Sequence, residues 1–168
     1  LRILAEQAGI EWKPHGPKAT PGSPNDKATL YKAMAWAELQ FHRCLLESTE
    51  AAAAREYLQQ RHINADSIEL YRIGYARNEW QWLSNRARST SWTPAVLEAL
   101  GLVIRKDNGR TYDRFRGRVM FPIRDTQNRP IAVGGRILPQ FKDDSSAKYI
   151  NSPETRLYTK SDQLYGLH

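Results

Sequence analysis

Gly101 divides the chain into two stretches whose hydrophobic residues recur with different periods, and that change constrains the fold more than any other feature. Before it, Leu30, Met34, Ala37, Phe41 and Cys44 follow one another at steps of four, three, four and three, the spacing of one face of an amphipathic helix. Asn25 or Asp26 is placed to cap its start. Ser48-Thr49-Glu50 interrupts the pattern and is expected to cap a second helix from Ala51 to Arg61, which the run Ala51–Ala54 favours. Asn64 to Tyr71 reads as a short helix, and Ile73 to Ala76 as a strand or tight turn. Thr93-Pro94 is the cap and first turn of a helix that runs to Leu100 and stops at Gly101. Beyond Gly101 the pattern is that of strands. Leu102–Arg105, the turn Asp107-Asn108-Gly109 and Arg110–Phe115 form a predicted hairpin. Val119–Arg124 and Pro130–Arg136, joined by Thr126–Arg129, form a second antiparallel pair, with Pro122 marking an edge or a bulge. Helices followed by antiparallel strands predict an α+β fold rather than a doubly wound one.

Residues 13–26 hold four prolines and two glycines, which excludes a helix and marks a linker. Residues 1–12 then read as the helical end of a preceding module, and 27–168 as the domain proper. The chain begins on Leu1 and is expected to be a piece of a longer protein. Its 17 aromatic residues, five of them Trp, are spread through the sequence, so it has the means to build a core and is not disordered. No apolar run approaches the ~20 residues that cross a bilayer, and the first residues are not a signal peptide. With a single cysteine, Cys44, a disulfide framework is excluded, and the thiol reads as a small buried apolar group in a protein of the reducing cytoplasm.

Charge follows the same division. The net charge is +7, and residues 101–168 carry 13 basic side chains against 7 acidic ones. Such an excess points to a polyanion, nucleic acid above all, or to a solvated basic face. Arg114, Arg116 and Arg118 alternate along a predicted strand, so they would project from one face over about 13 Å, with Phe115 turned to the core. That ladder either follows successive phosphates or is a surface strand ion-paired with Asp113 and Asp125. Gly134-Gly135-Arg136 ends a strand with two residues that permit close backbone approach and unusual dihedrals, beside a planar fork of donors. Lys148-Tyr149-Ile150-Asn151 sets a point charge, an aromatic platform and an amide in a row, the ingredients of single-strand binding. Asn151–Thr155 reads as a rigid turn capping a further helix, and the chain between Lys148 and Lys160 has room to bring both ammonium groups together. Asp143-Asp144 is a solvated loop pair rather than a metal site. The four histidines lack metal-ligand spacing, and no phosphate-binding glycine loop or nucleophile elbow is present.

Taken in order, Tyr112–Asp125, Ile131–Arg136, Lys148–Thr155 and Leu164–Leu167 resemble the bacterial replicative DNA primases of the DnaG type. Ala54–Arg61, Ile73–Ala76 and Leu97–Leu102 agree with them upstream, so the resemblance covers residues 27–168. It implies the basic α+β subdomain of a primase core, part of an enzyme that makes short RNA primers on single-stranded template. In that family a zinc-binding domain precedes the core, and a Toprim subdomain whose carboxylates hold Mg²⁺ or Mn²⁺ follows this part. The fragment alone is therefore expected to be inactive, with no catalytic residue and no metal of its own. The resemblance places Arg55, Arg136, Tyr149 and Asn151 along the template, with Arg114, Arg116 and Arg118 beside them, and Lys148 and Lys160 at the initiating nucleotide. It implies single-stranded DNA, ribonucleoside triphosphates and the RNA–DNA primer duplex as partners. A replicative helicase would be met through another domain, and the protein would be a monomer. Ala147, Ser161 and a long segment from Ile137 to Ala147 depart from the family pattern around the two lysines. Two rivals remain at this stage: a non-catalytic single-strand-binding module on the same scaffold, and a domain that docks an acidic protein.

Overall fold

The computed structural model describes residues 19–162. The helical reading of residues 1–12, the linker residues 13–18 and the Leu164–Leu167 motif lie outside them. The rest of the linker, 19–26, is a succession of turns.

Helix α1, Lys27–Glu47, starts where Asp26 accepts hydrogen bonds from the backbone N–H groups of Ala28 and Thr29. Its predicted face is buried, and it packs across two strands of the sheet. The next helix does not begin as expected. A 3-10 turn, Thr49–Ala51, comes first, no side chain of Ser48 caps it, and α2 spans Ala52–Gln60. The open carbonyls at the end of α1 are met instead by Arg55, whose Nη1 donates to Leu45 O at 2.7 Å and Ser48 O at 2.9 Å. Helix α3, Ala65–Leu70, is capped by Asn64, and α5, Pro94–Ala99, by Thr93, both as read from the sequence. Helix α4, Trp82–Ala87, has no local cap. The Asp113 carboxylate arrives from far along the chain and accepts from Leu83 N at 2.6 Å and Ser84 N at 3.1 Å.

Strands β1 (Gly74–Ala76), β4 (Arg118–Arg124), β5 (Pro130–Ile137) and β6 (Tyr149–Asn151) form one antiparallel sheet in the order β1-β4-β5-β6. Strands β2 (Val103–Arg105) and β3 (Thr111–Asp113) form the predicted hairpin as a separate two-stranded sheet. This is the α+β architecture that the change of period implied. Pro122 lies in an interior strand, but β1 pairs only with Arg118–Met120, so the missing N–H falls where β4 has lost that neighbour. The register also slips beside it, between Ile123 and Arg124. The main core joins α1 to the sheet and the shorter helices, and Cys44 belongs to it. Burial pushes the Cys44 thiol up to about 11, so it stays protonated, as its reading as an apolar group required.

Three local expectations are corrected. Arg114–Arg118 is not one extended strand: β3 ends at Asp113, Gly117 has φ +60° and β4 begins at Arg118. Gly134 and Gly135 lie inside β5 rather than at its end, and neither has positive φ. No α-helix follows Asn151–Thr155 among the described residues. Thr155 Oγ1 accepts instead from the backbone of Leu157 and Tyr158 in a tight turn.

Candidate nucleic-acid interface

The sheet register brings the second cluster of sequence signals together. Arg136 of β5 pairs with Tyr149 of β6, and Gly134 pairs with Asn151, so all four share one face. The glycines are there for approach. A Cβ on Gly134 would lie 2.9 Å from Asn151 Oδ1, and one on Gly135 2.9 Å from the Phe115 ring. A cavity of about 540 Å³ opens here, lined by Phe121, Gly134, Gly135, Tyr149, Asn151 and Lys160, among others. The Arg136 guanidinium sits 4.8 Å from the Tyr149 ring centre and 5.3 Å from that of Tyr57, and its Nη1 donates to the Tyr149 hydroxyl. Tyr57 comes from α2, where Arg61 also lies 5.3 Å from its ring. Arg136 Nε is buried and has no acceptor.

The three arginines of the broken strand still converge. Arg114, Arg116 and Arg118 line a second cavity, of about 340 Å³, with Asn78, Trp80, Phe141 and one carboxylate, Asp143. Arg118 is 7% exposed, and its guanidinium donates to Gly135 O and Ala147 O, tying β5 to the segment before Lys148. Arg116 donates to Asp113 O and lies 4.0 Å over the Trp80 ring. Arg114 Nε is buried without an acceptor. Burial pulls both Arg114 and Arg118 below the usual arginine value, the mark of cations desolvated without a counterion. No ion pair joins this segment to the two predicted partners: Asp113 accepts from α4, with Arg116 near enough to favour its charged form, and Asp125 pairs with Arg129. Phe115 does point to the core.

Beside this cavity, Trp80 is 60% exposed and meets Tyr112 edge-on, with Lys106 5.9 Å from its ring centre. Tyr57, Arg61, Trp80, Lys106 and Tyr112 were not singled out from the sequence. An aromatic residue beside a distant cation leaves no local spacing to detect.

The remaining predicted residues are placed as follows. Arg55 is half-buried, and its Nη1 is committed to the end of α1. Lys160 lines the β5–β6 cavity. Lys148 is exposed just before β6 and does not line it, so that cavity does not gather the two ammonium groups. Asp143 accepts from Ser145 in its own loop, as a solvated turn does. Among the described residues no cluster of His, Cys, Asp or Glu could hold a metal ion, and no helix is long and apolar enough to cross a membrane.

The four-stranded sheet, its covering helix and two cavities, one lined by aromatic rings, glycines and Lys160 and the other by three arginines, define a basic α+β domain. Its residues 41–168 match the DNA primase catalytic core, N-terminal domain, and the chain belongs to that family. It is 40% identical to the DNA primase of Deinococcus radiodurans over an alignment of 169 positions, 99% of this chain and 27% of that protein. With the DNA primase of Salmonella typhimurium the identity is 42%, covering 76% of this chain and 21% of the relative. The chain thus spans about a quarter of the length of these curated relatives. Among solved structures it is similar to a DnaG primase catalytic domain bound to single-stranded DNA, at 38% identity and a TM-score of 0.76, covering 84% of this chain and 42% of that one. It is also similar to the RNA polymerase domain of Mycobacterium tuberculosis primase in complex with a double-stranded DNA oligomer bearing a 6-nucleotide overhang. There the identity is 34% and the TM-score 0.79, with 88% of this chain and 44% of that one covered.

Proposed function

We propose that this chain is the template-engaging part of a DNA primase, residues 27–168 being the domain and 13–26 its linker. Its basic face holds single-stranded DNA and presents it to a metal-bearing segment that joins ribonucleotides into a primer. The observation that carries this reading is the pair of buried guanidinium nitrogens, Arg114 Nε and Arg136 Nε, that have no acceptor. Buried donors without partners are costly, and phosphate oxygens are the acceptors that a planar guanidinium suits. The similar DnaG domain bound to single-stranded DNA supports the same reading.

In this account Arg114 and Arg136 take backbone phosphates, while Arg118 braces the cavity wall between them. Tyr149 and Trp80 offer faces for bases, each stacked base being worth ~1–3 kcal/mol. Asn151 offers an amide to a base edge. Arg116 shares the Trp80 face, and Arg55 acts through the position of α2, which carries Tyr57. Lys160, inside the cavity, and Lys148, on its approach, neutralise the charge of the initiating triphosphate rather than transfer protons. Mg²⁺ or Mn²⁺ would be held by Toprim carboxylates and Zn²⁺ by a zinc-binding domain, both elsewhere in a longer protein, as would the contact with a replicative helicase. The protein acts in the cytoplasm as a monomer, and the fragment alone makes no primer. The test is dinucleotide synthesis by the full-length protein. Lys160→Ala and Lys148→Ala each depress it while leaving template binding nearly intact, and unchanged synthesis in both would overturn the nucleotide assignment.

A further inference from the structure

At the opposite edge of the sheet from the β5–β6 cavity, where Arg77 follows β1 and passes between α1 and α4, lies a separate polar cleft of about 340 Å³. Its walls carry Arg43, Arg77, Arg86, Trp82, Ser48 and Glu47, with Gln40 and Cys44 beside them. Two of these side chains hold buried donors with no acceptor: the indole Nε1 of Trp82, a residue only 6% exposed, and Nε of Arg77. The rest of the lining deepens the imbalance. Arg86 donates to the Gln40 amide oxygen and lies 5.0 Å from the Trp82 ring centre, so it has no carboxylate partner, and Arg43 has none either among the described residues. The carbonyl of Ser48, the obvious backbone acceptor, is already taken by Arg55. The buried Cys44 thiol remains protonated. Glu47 is the sole carboxylate in the wall.

Arg77 is anchored from its other side. Its Nη2 pairs with Glu50 and, at 2.8 Å, with Glu79, which fixes the guanidinium and leaves Nε–H unspent. Those two carboxylates offset much of the local positive charge. Selectivity in this cleft therefore comes from directed donors more than from net charge. A site with fixed N–H donors from an indole and a guanidinium, two further guanidinium groups and almost no acceptors fits a group that only accepts hydrogen bonds. A phosphoryl group, with three terminal oxygens, meets that donor set more fully than a carboxylate with two.

We propose that this cleft is a second anion site, which binds a phosphoryl group through Trp82 Nε1, Arg77 Nε and the guanidinium groups of Arg43 and Arg86. It is distinct from the template face and independent of the function proposed for that face. The phosphoryl group comes either from a free anion or from the terminal phosphate of a nucleic-acid strand.

The test uses this chain with its tryptophan indoles labelled with ¹⁵N, the Trp82 resonance being identified by its loss in Trp82→Phe. Titrations use inorganic pyrophosphate, a 5′-phosphorylated oligothymidylate and the same oligomer without the phosphate, each against sodium chloride of equal ionic strength. The Trp82 indole proton is expected to move downfield and saturate. Saturation by pyrophosphate assigns the site to a free anion. Saturation only by the phosphorylated oligomer assigns it to a strand end. Arg43 is exposed, so Arg43→Gln keeps the fold, and it should weaken binding about tenfold, the loss of one charge-assisted contact. Arg77→Lys keeps the charge opposite Glu50 and Glu79 but removes the Nε donor, and it should weaken binding too. A Trp82 resonance that follows only ionic strength overturns the proposal. So does a response equal for the two oligomers and absent with pyrophosphate, or one unchanged in both variants.

Discussion

Two sets of arginines in this molecule live under opposite rules. Arg77, Arg105, Arg124 and Arg129 each face a carboxylate: Glu50 and Glu79, Glu98, Glu38, and Asp125. Arg114, Arg116, Arg118 and Arg136 close no ion pair among the described residues: Asp143 shares the cavity of the first three and Asp113 lies near Arg116, but the guanidinium groups donate to carbonyls and a hydroxyl and sit against aromatic rings. The difference is not one of burial. Arg124 and Glu38 are both nearly closed to solvent, and burial pushes the Glu38 carboxyl up even with Arg124 pulling it back. Arg118 is buried to a similar degree, and its guanidinium donates to peptide oxygens rather than to a carboxylate. The first set closes ion pairs within the chain, Arg124 with Glu38 in the interior and the others nearer the surface, with Arg77 Nε left over for the cleft beside α4. In the second, Arg114 and Arg136 each keep a buried Nε with no acceptor, and Arg114, Arg116 and Arg118 line one cavity, an arrangement suited to the anion proposed above.

That contrast is broken most forcefully at its paired end. Glu38→Ala strands the Arg124 cation in the interior and should cost about 3 kcal/mol in urea unfolding, the usual penalty for removing one member of a buried pair. Its effect on DNA affinity, measured where the variant is still folded, should be small. The unpaired end behaves in reverse. Arg136→Ala combined with Asn151→Ala should weaken single-stranded DNA by one to two orders of magnitude in anisotropy titrations, on the scale of ~1–3 kcal/mol for each lost contact. Stability should barely change, since neither residue is buried. Trp80→Ala removes one stacking face and should cost about tenfold in the same assay. A Trp80 variant that binds normally would confine the interface to the β5–β6 cavity.

The smallest effect concerns Asp26, the exposed cap of α1. The Thr29 hydroxyl hydrogen bond, opposed by desolvation and aided by backbone N–H groups, holds its carboxyl below the usual aspartate value. A carboxyl with a lowered folded-state value contributes stability above its unfolded value and loses it as pH falls through the folded one. The melting temperature of Asp26→Asn should therefore approach that of the parent as pH is lowered through the carboxylate range. A constant gap would mean that Asp26 acts through hydrogen bonding alone.

What the sequence disclosed was what is local. The α1 stripe, the Thr93-Pro94 cap, the Asp107-Asn108-Gly109 hairpin and the α+β order all depend on neighbours within a few positions. Arg136, Tyr149 and Asn151 were gathered only by the family resemblance, and the pairing of β5 with β6 sets them on one face across 13 and more residues. Helix α4 went unread because its cap, Asp113, lies 29 and 30 residues from the N–H groups it accepts. The arginine ladder was misread because one glycine, Gly117 at φ +60°, breaks the strand, although the long side chains still reach a common cavity. Arg55 could not be recognised as the brace of α1 from spacing, because its partners are carbonyls that any residue carries.

The most direct measurement is the salt dependence of single-stranded DNA binding, compared between Arg114→Ala with Arg136→Ala and Arg105→Ala with Arg129→Ala. If the set without ion pairs meets the phosphates, the first pair lowers the slope of log affinity against log salt by about 0.7 for each contact removed, and the second pair leaves it unchanged. Equal effects of the two pairs, or no salt-sensitive binding by the parent chain, would contradict the account.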